Sequence, residues 1–462
     1  MAAHVSRPRQ MLAALALSML LSSLGTSIAN VGLPVLAQAF GASFGQVQWI
    51  VLAYLLAITT LIVGVGRLGD LAGRRRLLLA GIALFTGASL LCGLAPTLPW
   101  LIAARALQGL GAAAMMGLTM SFAAGAASKG GTGSVMGLLG TMSAVGTALG
   151  PALGGVLVGA AGWRPLFFVT VPLGIATWLL AWRSLPADAA HGQGERTGFD
   201  AVGTLLLALT LAAYALAMTT GGGSFGAPNL ALLLAAAVGA WLFVRAGARA
   251  ASPLIPLALL RDRLFGARLG TTALVSTVMM ATLVVGPFYL ARTLALAPGA
   301  VGLVLSAGPL VAALCGVPAG RMVDRAGTAR VTFAGLVLML GGTVAMALLP
   351  ASSGVPGYLA PLAILTIGYA LFQAANNTAL LDAAGADQRG VVASMLNLAR
   401  NLGLVSGASL MGAVFAFGAA AATAPPDAVA AGMRRTFAVA AALLAAALLI
   451  AWRAGRAQKQ QT

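Results

Sequence analysis

Charge is what this sequence has least of: among 462 residues only 8% are Asp, Glu, Lys or Arg, where soluble domains carry about 25%. Acids are the scarcest, 9 against 27 Lys and Arg. A chain this poor in charge and 60% hydrophobic has too little polar surface for a water-soluble fold, so its apolar side chains must face lipid. That composition also excludes intrinsic disorder and collagen-like repeats. The net charge of +18 does not indicate a nucleic-acid partner, because the basic residues lie in small groups between apolar runs, as loop anchors do. Histidine is nearly absent, and both copies, His4 and His191, fall outside the apolar runs. With no His-rich cluster and no paired acids inside those runs, neither a metal centre, a cofactor site nor a catalytic residue is expected. Cys92 and Cys315 sit inside apolar runs without metal-ligand spacing and read as small buried hydrophobes. No Gly-x-x-x-x-Gly-Lys-Ser/Thr segment is present, so no phosphate-binding loop for ATP is expected.

Long hydrophobic runs are abundant. A helix needs about 20 largely apolar residues to cross the hydrocarbon layer, and stretches of that kind occupy 11–36, 47–66, 76–95, 98–122, 134–160, 165–182, 201–220, 229–246, 268–291, 300–319, 330–349, 357–380, 391–417 and 436–452. These fourteen spans predict an all-α polytopic membrane protein. The first is too long for a signal peptide and lacks a small-x-small cleavage site, so it reads as helix 1. With both termini in the cytoplasm, every Lys and Arg falls inside except Arg105 and Arg400, within spans, and Arg164, Arg292, Arg434 and Arg435, outside. This bias supports that orientation, with Arg434 and Arg435 the misfit pair.

The chain repeats itself. Gly66-Arg67-Leu68-Gly69-Asp70-Leu71-Ala72-Gly73-Arg74-Arg75-Arg76 aligns without a gap to Gly320-Arg321-Met322-Val323-Asp324-Arg325-Ala326-Gly327-Thr328-Ala329-Arg330. Six helices need about 190 residues at roughly 30 per crossing, whereas the repeats begin at 66 and 320. The surplus accommodates two further helices. The predicted organisation is therefore an N-terminal six-helix bundle over 1–186, a linker with two extra helices over 187–250, and a C-terminal six-helix bundle over 251–462. In both repeats glycine permits a tight turn and arginine anchors the loop. Asp70 can also pair with cationic side chains or helix N–H groups of the other half and hold one conformation. The expected switch loops are Gly66, Arg67, Asp70, Gly73, Arg74 and Arg75 in the first repeat, and Gly320, Asp324, Arg325 and Gly327 in the second.

These loops resemble the signature loop of the major facilitator superfamily. Trp49-Ile50-Val51-Leu52-Ala53-Tyr54-Leu55-Leu56, Arg105-Ala106-Leu107-Gln108-Gly109, Trp163-Arg164-Pro165-Leu166-Phe167-Phe168 and Asn397-Leu398-Ala399-Arg400-Asn401-Leu402-Gly403 narrow the resemblance to its drug:proton antiporter family, the branch with fourteen helices. Gly146, Gly150 and Gly154 recur every four residues, forming a bare stripe that another helix can approach closely, and Pro151 can bend the helix there. Together with Gly155 these residues resemble the superfamily's antiporter motif, which implies export. The resemblance thus implies a secondary transporter working by alternating access, exporting hydrophobic or amphipathic small molecules such as drugs, antibiotics or secondary metabolites by proton-coupled antiport. An importer or uniporter would share the fold, and a non-transporting sensor would bind a ligand without moving it. The expected partners are a small-molecule substrate, the lipid bilayer and protons as the coupling ion, with no nucleic acid; the expected form is a monomer in a bacterial inner membrane.

Arginines inside a membrane are costly and face the bundle interior. Arg400 lies 11 residues beyond Arg389, about 16 Å along a helix and near the bilayer middle. An anion or a ring of carbonyls would stabilise it. Arg105 is shallower, and capping of backbone groups is the favoured reading for it. Gln108 and Gly109 belong to the same helix 4 motif. Asn30, Tyr54, Gln108, Tyr289, Gln373, Asn376, Asn377, Arg400 and Asn401 are candidates for the cavity wall because buried amides and phenols need partners. Met115, Met116, Met279 and Met280 either pack or line the cavity. In one place the chain departs from the family: where an aspartate usually precedes the helix 1 stretch, here Thr26-Ser27-Ile28-Ala29-Asn30-Val31-Gly32-Leu33-Pro34, this sequence has Gly25. All nine acids lie in loops or at helix ends. Asp200 and Asp382 are the least exposed of them, read either as proton-coupling residues or as interfacial caps.

Overall fold

The computed structural model describes residues 8–62, 64–126, 132–188, 200–220, 226–250, 262–348, 350–382, 389–419 and 425–459. Helix is the one way such a chain can bury its backbone polar groups in lipid without closing a barrel, and no strand occurs among the described residues. Among the described residues fourteen helices are long and apolar enough to cross a membrane: α1 (Arg9–Ala39), α2 (Phe44–Ile62), α3 (Arg74–Gly93), α4 (Leu98–Phe122), α5 (Leu138–Ala161), α6 (Pro165–Ser184), α7 (Ala201–Thr219), α8 (Ala227–Gly247), α9 (Arg263–Thr293), α10 (Pro298–Ala326), α11 (Thr328–Leu348), α12 (Gly354–Asp382), α13 (Met395–Phe417) and α14 (Pro426–Ala454). Each overlaps one of the fourteen apolar runs. A short helix, Val65–Ala72, precedes α3 and was not anticipated, being only 8 residues long.

Glycine determines how these helices pair, and it does so twice. A Cβ on Gly111 of α4 would lie 2.7 Å from the Gly81 carbonyl oxygen of α3; one on Gly368 of α12 would lie 2.6 Å from the Gly335 oxygen of α11. Backbone therefore meets backbone at both α3/α4 and α11/α12, as small residues permit in membranes. Likewise Gly146, Gly150 and Gly154 seat α5 against Leu20, Ser27 and Ile28 of α1, while Gly403 and Gly407 seat α13 against Ala273 and Thr277 of α9. The turns repeat as well: Gly73, before α3, has φ +95° and Gly327, before α11, has φ +82°, a backbone region that suits glycine. Two six-helix bundles, α1–α6 and α9–α14, result.

The bundles meet along two seams. At one, Gly155 of α5 lies against Gly302 and Pro298 of α10, where its Cβ would be 2.7 Å from the Pro298 oxygen. At the other, α2 meets α13: the buried Gln48 donates to the Ala408 carbonyl. The Phe44 ring stands 4.8 Å from Phe288 of α9 and 4.9 Å from Phe415 of α13. These contacts fall at the start of α2 and α10 and toward the ends of α5 and α13. With fourteen crossings, both chain ends lie on one face, so the ring cluster and Gly155–Gly302 close the face opposite the termini.

The two extra helices are central in sequence but peripheral in space. α7 covers the α2/α13 seam: Trp49 Nε1 donates to Thr219 Oγ1 at 3.0 Å, and Leu207 and Leu211 pack with Leu398. α8 packs on α7 and exposes Leu230, Leu234, Val238 and Trp241, side chains suited to lipid. Cys92 is buried as expected. Cys315 is only half-buried, because it shares α10 with the outward-facing Leu310, Leu314 and Val317; both thiols are free.

Candidate functional site

Arg105 is fully buried in the first bundle and has gathered acceptors from three helices. Its Nε donates to the Ile50 carbonyl of α2 at 2.9 Å, one Nη to the Gly25 carbonyl of α1 at 3.0 Å, and the other Nη to Gln108 Oε1, one turn along α4. Gln108 Nε2 then donates to Ser89 Oγ at 2.7 Å, and Ser89 Oγ to the Phe85 carbonyl at 2.7 Å. The guanidinium carbon stands 4.1 Å from the centre of the Tyr54 ring, a cation–π contact made stronger by desolvation. Tyr54 in turn donates from its hydroxyl to the Ser22 carbonyl at 2.8 Å. Gly25 is part of this design: a Cβ there would meet the Tyr54 hydroxyl oxygen at 2.9 Å and the Phe85 ring at 3.1 Å. At this position the chain offers Arg105 only a backbone oxygen, and a side chain would have to displace the Tyr54 hydroxyl or the Phe85 ring. Gly109 completes the packing, its Cβ position 2.5 Å from the Tyr54 carbonyl oxygen.

Arg400 has a different environment. On α13, Gly403 and Gly407 face α9, Ala408 takes the Gln48 hydrogen bond from α2, Leu398 packs with α7, and Met395 and Ala399 pack with Phe265, Leu269 and Leu380. The half-buried stripe Ala393, Asn397, Arg400 and Leu404 remains, and by helical register it lies between the α9 and α2 flanks, toward the space between the bundles. Arg400 makes no hydrogen bond, ion pair or ring contact among the described residues.

The other candidates divide between the two bundles. Asn30 is buried, donates to the Thr26 carbonyl at 3.1 Å and leaves its Oδ1 without a partner. Asn376 is buried, donates to Thr272 Oγ1 at 2.8 Å, and likewise leaves Oδ1 unpartnered. Tyr289 is buried and stacks on Tyr358, centroids 6.0 Å apart, and neither hydroxyl has a partner. Asn401 is buried, whereas Gln373 and Asn377 are half-buried. Met115 and Met280 are fully buried packing residues, and Met116 and Met279 are partly accessible. The side chains of Arg67 and Asp70 lie outside the described residues. Gly66 and Gly320 meet no neighbour that a Cβ would touch, and Asp324 and Arg325 are exposed.

At the first signature loop the carboxylate in view is Asp188, which the spacing of residues had not singled out. Its oxygens accept from the backbone N–H of Arg75 at 2.8 Å and of Arg76 at 3.2 Å, at the start of α3, while an Arg75 Nη donates to the Trp182 carbonyl at 2.6 Å. Asp188 therefore caps α3 from the chain segment following α6. Asp200 caps α7, accepting from the Gly203 N–H at 2.7 Å; Asp382, expected with Asp200 to be the least exposed acid, is instead exposed at the end of α12, and Asp188 is the other half-buried one among the described residues. Every carboxylate whose side chain is described lies in a loop or at a helix end. The misfit pair also has a structural place: Arg435 donates to the Phe417 carbonyl at 2.9 Å, capping the C-terminal end of α13. Arg268, at the margin of its apolar run, is half-buried in the second turn of α9. Nothing in the sequence distinguished Gln48 as the link between bundles.

Two helical bundles that meet along two seams and are closed at one face are the architecture of a membrane transporter. The chain belongs to the Major Facilitator Superfamily, whose profile matches residues 15–408. Riboflavin transporter RibZ of Clostridioides difficile is 30% identical over 86% of each chain. Multidrug resistance protein Stp of Mycobacterium tuberculosis is 29% identical over 88% of this chain and 75% of its own. Among solved structures, a bacterial homolog to the human lysosomal transporter Spinster, in an inward-facing and occupied conformation, aligns with TM-score 0.68 at 16% identity, covering 97% of each chain.

Proposed function

We propose that the protein exports hydrophobic or amphipathic small molecules by alternating access, as a monomer with both termini in the cytoplasm of a bacterium. The observation that carries this reading is the glycine architecture of α5. Gly146, Gly150 and Gly154 hold α1 while Gly155 holds α10 across the seam, so the segment resembling the exporter motif is also the hinge surface between bundles. The multidrug resistance protein among its relatives points the same way. Closure at the face opposite the termini then corresponds to a state open to the cytoplasm, ready to load cargo for export. Proton-coupled antiport is what the family resemblance implies, and with Gly25 at the position of the usual helix 1 acid the candidate coupling residues are Asp200 and Asp382, the alternative being that both are interfacial caps, as the α7 cap made by Asp200 and the exposed place of Asp382 suggest.

The test is transport in proteoliposomes of known orientation under an imposed pH step, using a panel of labelled amphiphiles. Export predicts accumulation in inside-out vesicles, and Asp200→Asn with Asp382→Asn predicts loss of the response to the pH step. Carriage of a metabolite inward is the second reading, favoured by the riboflavin transporter among the relatives. Accumulation in right-side-out vesicles instead would establish it.

A further inference from the structure

The protein handles its two intramembrane arginines in opposite ways. Arg105 is enclosed, with one acceptor for each guanidinium nitrogen and an aromatic face beside it. Arg400 lies within α13, half-buried, with no partner among the described residues. A cation left unsatisfied inside a membrane protein is expensive unless something that comes and goes satisfies it. Register places it on the stripe with Asn397 that faces the space between bundles, and both described interior amides with a free oxygen, Asn30 and Asn376, offer acceptors and no negative charge. The same interior contains no described carboxylate. From this asymmetry, and resting on the transport reading above, we infer that Arg400 anchors a negatively charged group of the cargo, so that the carried compound is an amphipathic organic anion. Guanidinium geometry favours a bidentate carboxylate, and the apolar residues of the same stripe, Ala393 and Leu404, suit the hydrophobic remainder.

The inference is tested by equilibrium binding to the full chain in phosphatidylcholine nanodiscs, where no anionic headgroup competes. The probes are 2-naphthoate and 1-pyrenebutyrate, each paired with its primary amide. The expected result is at least tenfold tighter binding of the carboxylates. Arg400→Gln should abolish that preference while leaving amide affinity within about twofold, and Arg400→Lys should retain part of it, an ammonium being a point charge without the planar fork. Wild-type protein that binds the carboxylates no better than the amides, or not at all, overturns the proposal without recourse to any variant. So does an Arg400→Gln protein that weakens acid and amide equally. Displacement of the probes when phosphatidylglycerol replaces phosphatidylcholine would assign the anion site to a lipid headgroup and overturn it too. Binding in nanodiscs has no direction, so failure here leaves export standing, and reversed transport in vesicles leaves the anion anchor standing.

Discussion

At the scale of single residues the first bundle depends on one enclosed cation. Arg105→Ala removes three donated hydrogen bonds and leaves the Gln108 amide oxygen without its partner, while the Ile50 and Gly25 carbonyls keep only their helix bonds. A loss of about 2–3 kcal/mol is expected from hydrogen bonds to a charged group, read as a lower unfolding temperature in detergent. Arg105→Lys should recover only part of it, since one ammonium cannot serve three separated acceptors. Gly25→Ala presses on the Tyr54 hydroxyl and Phe85 ring and should cost about 1–3 kcal/mol by overpacking; Gly25→Asp, which restores the residue usual in the resembled family, should be worse by the same assay. Asp188→Ala should cost about 1 kcal/mol as a lost N-cap, and Asp188→Asn much less. The sequence showed that Arg105 must face inward and need partners. It did not show which, because two of the three acceptors are backbone oxygens on α1 and α2, and a backbone oxygen has no letter in a sequence. Asp188 escaped notice for a related reason: its role follows from where the segment after α6 returns, not from any motif around it.

Whole elements were far more legible. All fourteen helices announce themselves by apolar length, since transfer to lipid is summed over about 20 residues and tolerates local irregularity. What hydropathy does not report is rotation. α8 is apolar on every side, which marks it as a span and says nothing about its neighbour; only the structure places it outside α7 rather than between the bundles. The short helix Val65–Ala72 and the π-turns at Tyr289–Thr293 and Gly407–Met411 were equally invisible, being shorter than any window that measures a span. Glycine spacing did disclose a face. The stripe Gly146, Gly150 and Gly154 was identified as an approach surface, although its partner, α1, was not. The duplicated packing makes a paired prediction: Gly150→Leu and Gly407→Leu, in opposite bundles, should each force a first helix off a fifth helix. Either should cost about 3 kcal/mol or more, seen as reduced folded yield and a lowered unfolding temperature, while Gly316→Leu on α10, with open space around it, should be silent.

For the molecule as a whole, the proposed alternating access requires the α5/α10 seam to separate. A Cβ on Gly159 would lie 3.8 Å from the Gly299 nitrogen, so cysteines at the two positions stand side by side across this seam, within reach of a short cleavable bis-thiol-reactive crosslinker. In a background lacking Cys92 and Cys315, crosslinking Gly159→Cys with Gly299→Cys should stop flux and cleavage of the linker should restore it; unimpaired flux in the crosslinked form would mean that this seam need not open. The other seam suggests how opening is achieved. Ala408, which receives Gln48, and Phe415, which closes the ring cluster, lie within and beyond a π-turn, a stretch holding one residue more than an ordinary turn. Rewinding that surplus would spin the distal end of α13 by about 100°, swinging the phenyl group out of its stack and turning the carbonyl away from the amide in a single stroke. The bolt on this door would then be withdrawn by torsion of one rod, before either leaf begins to swing.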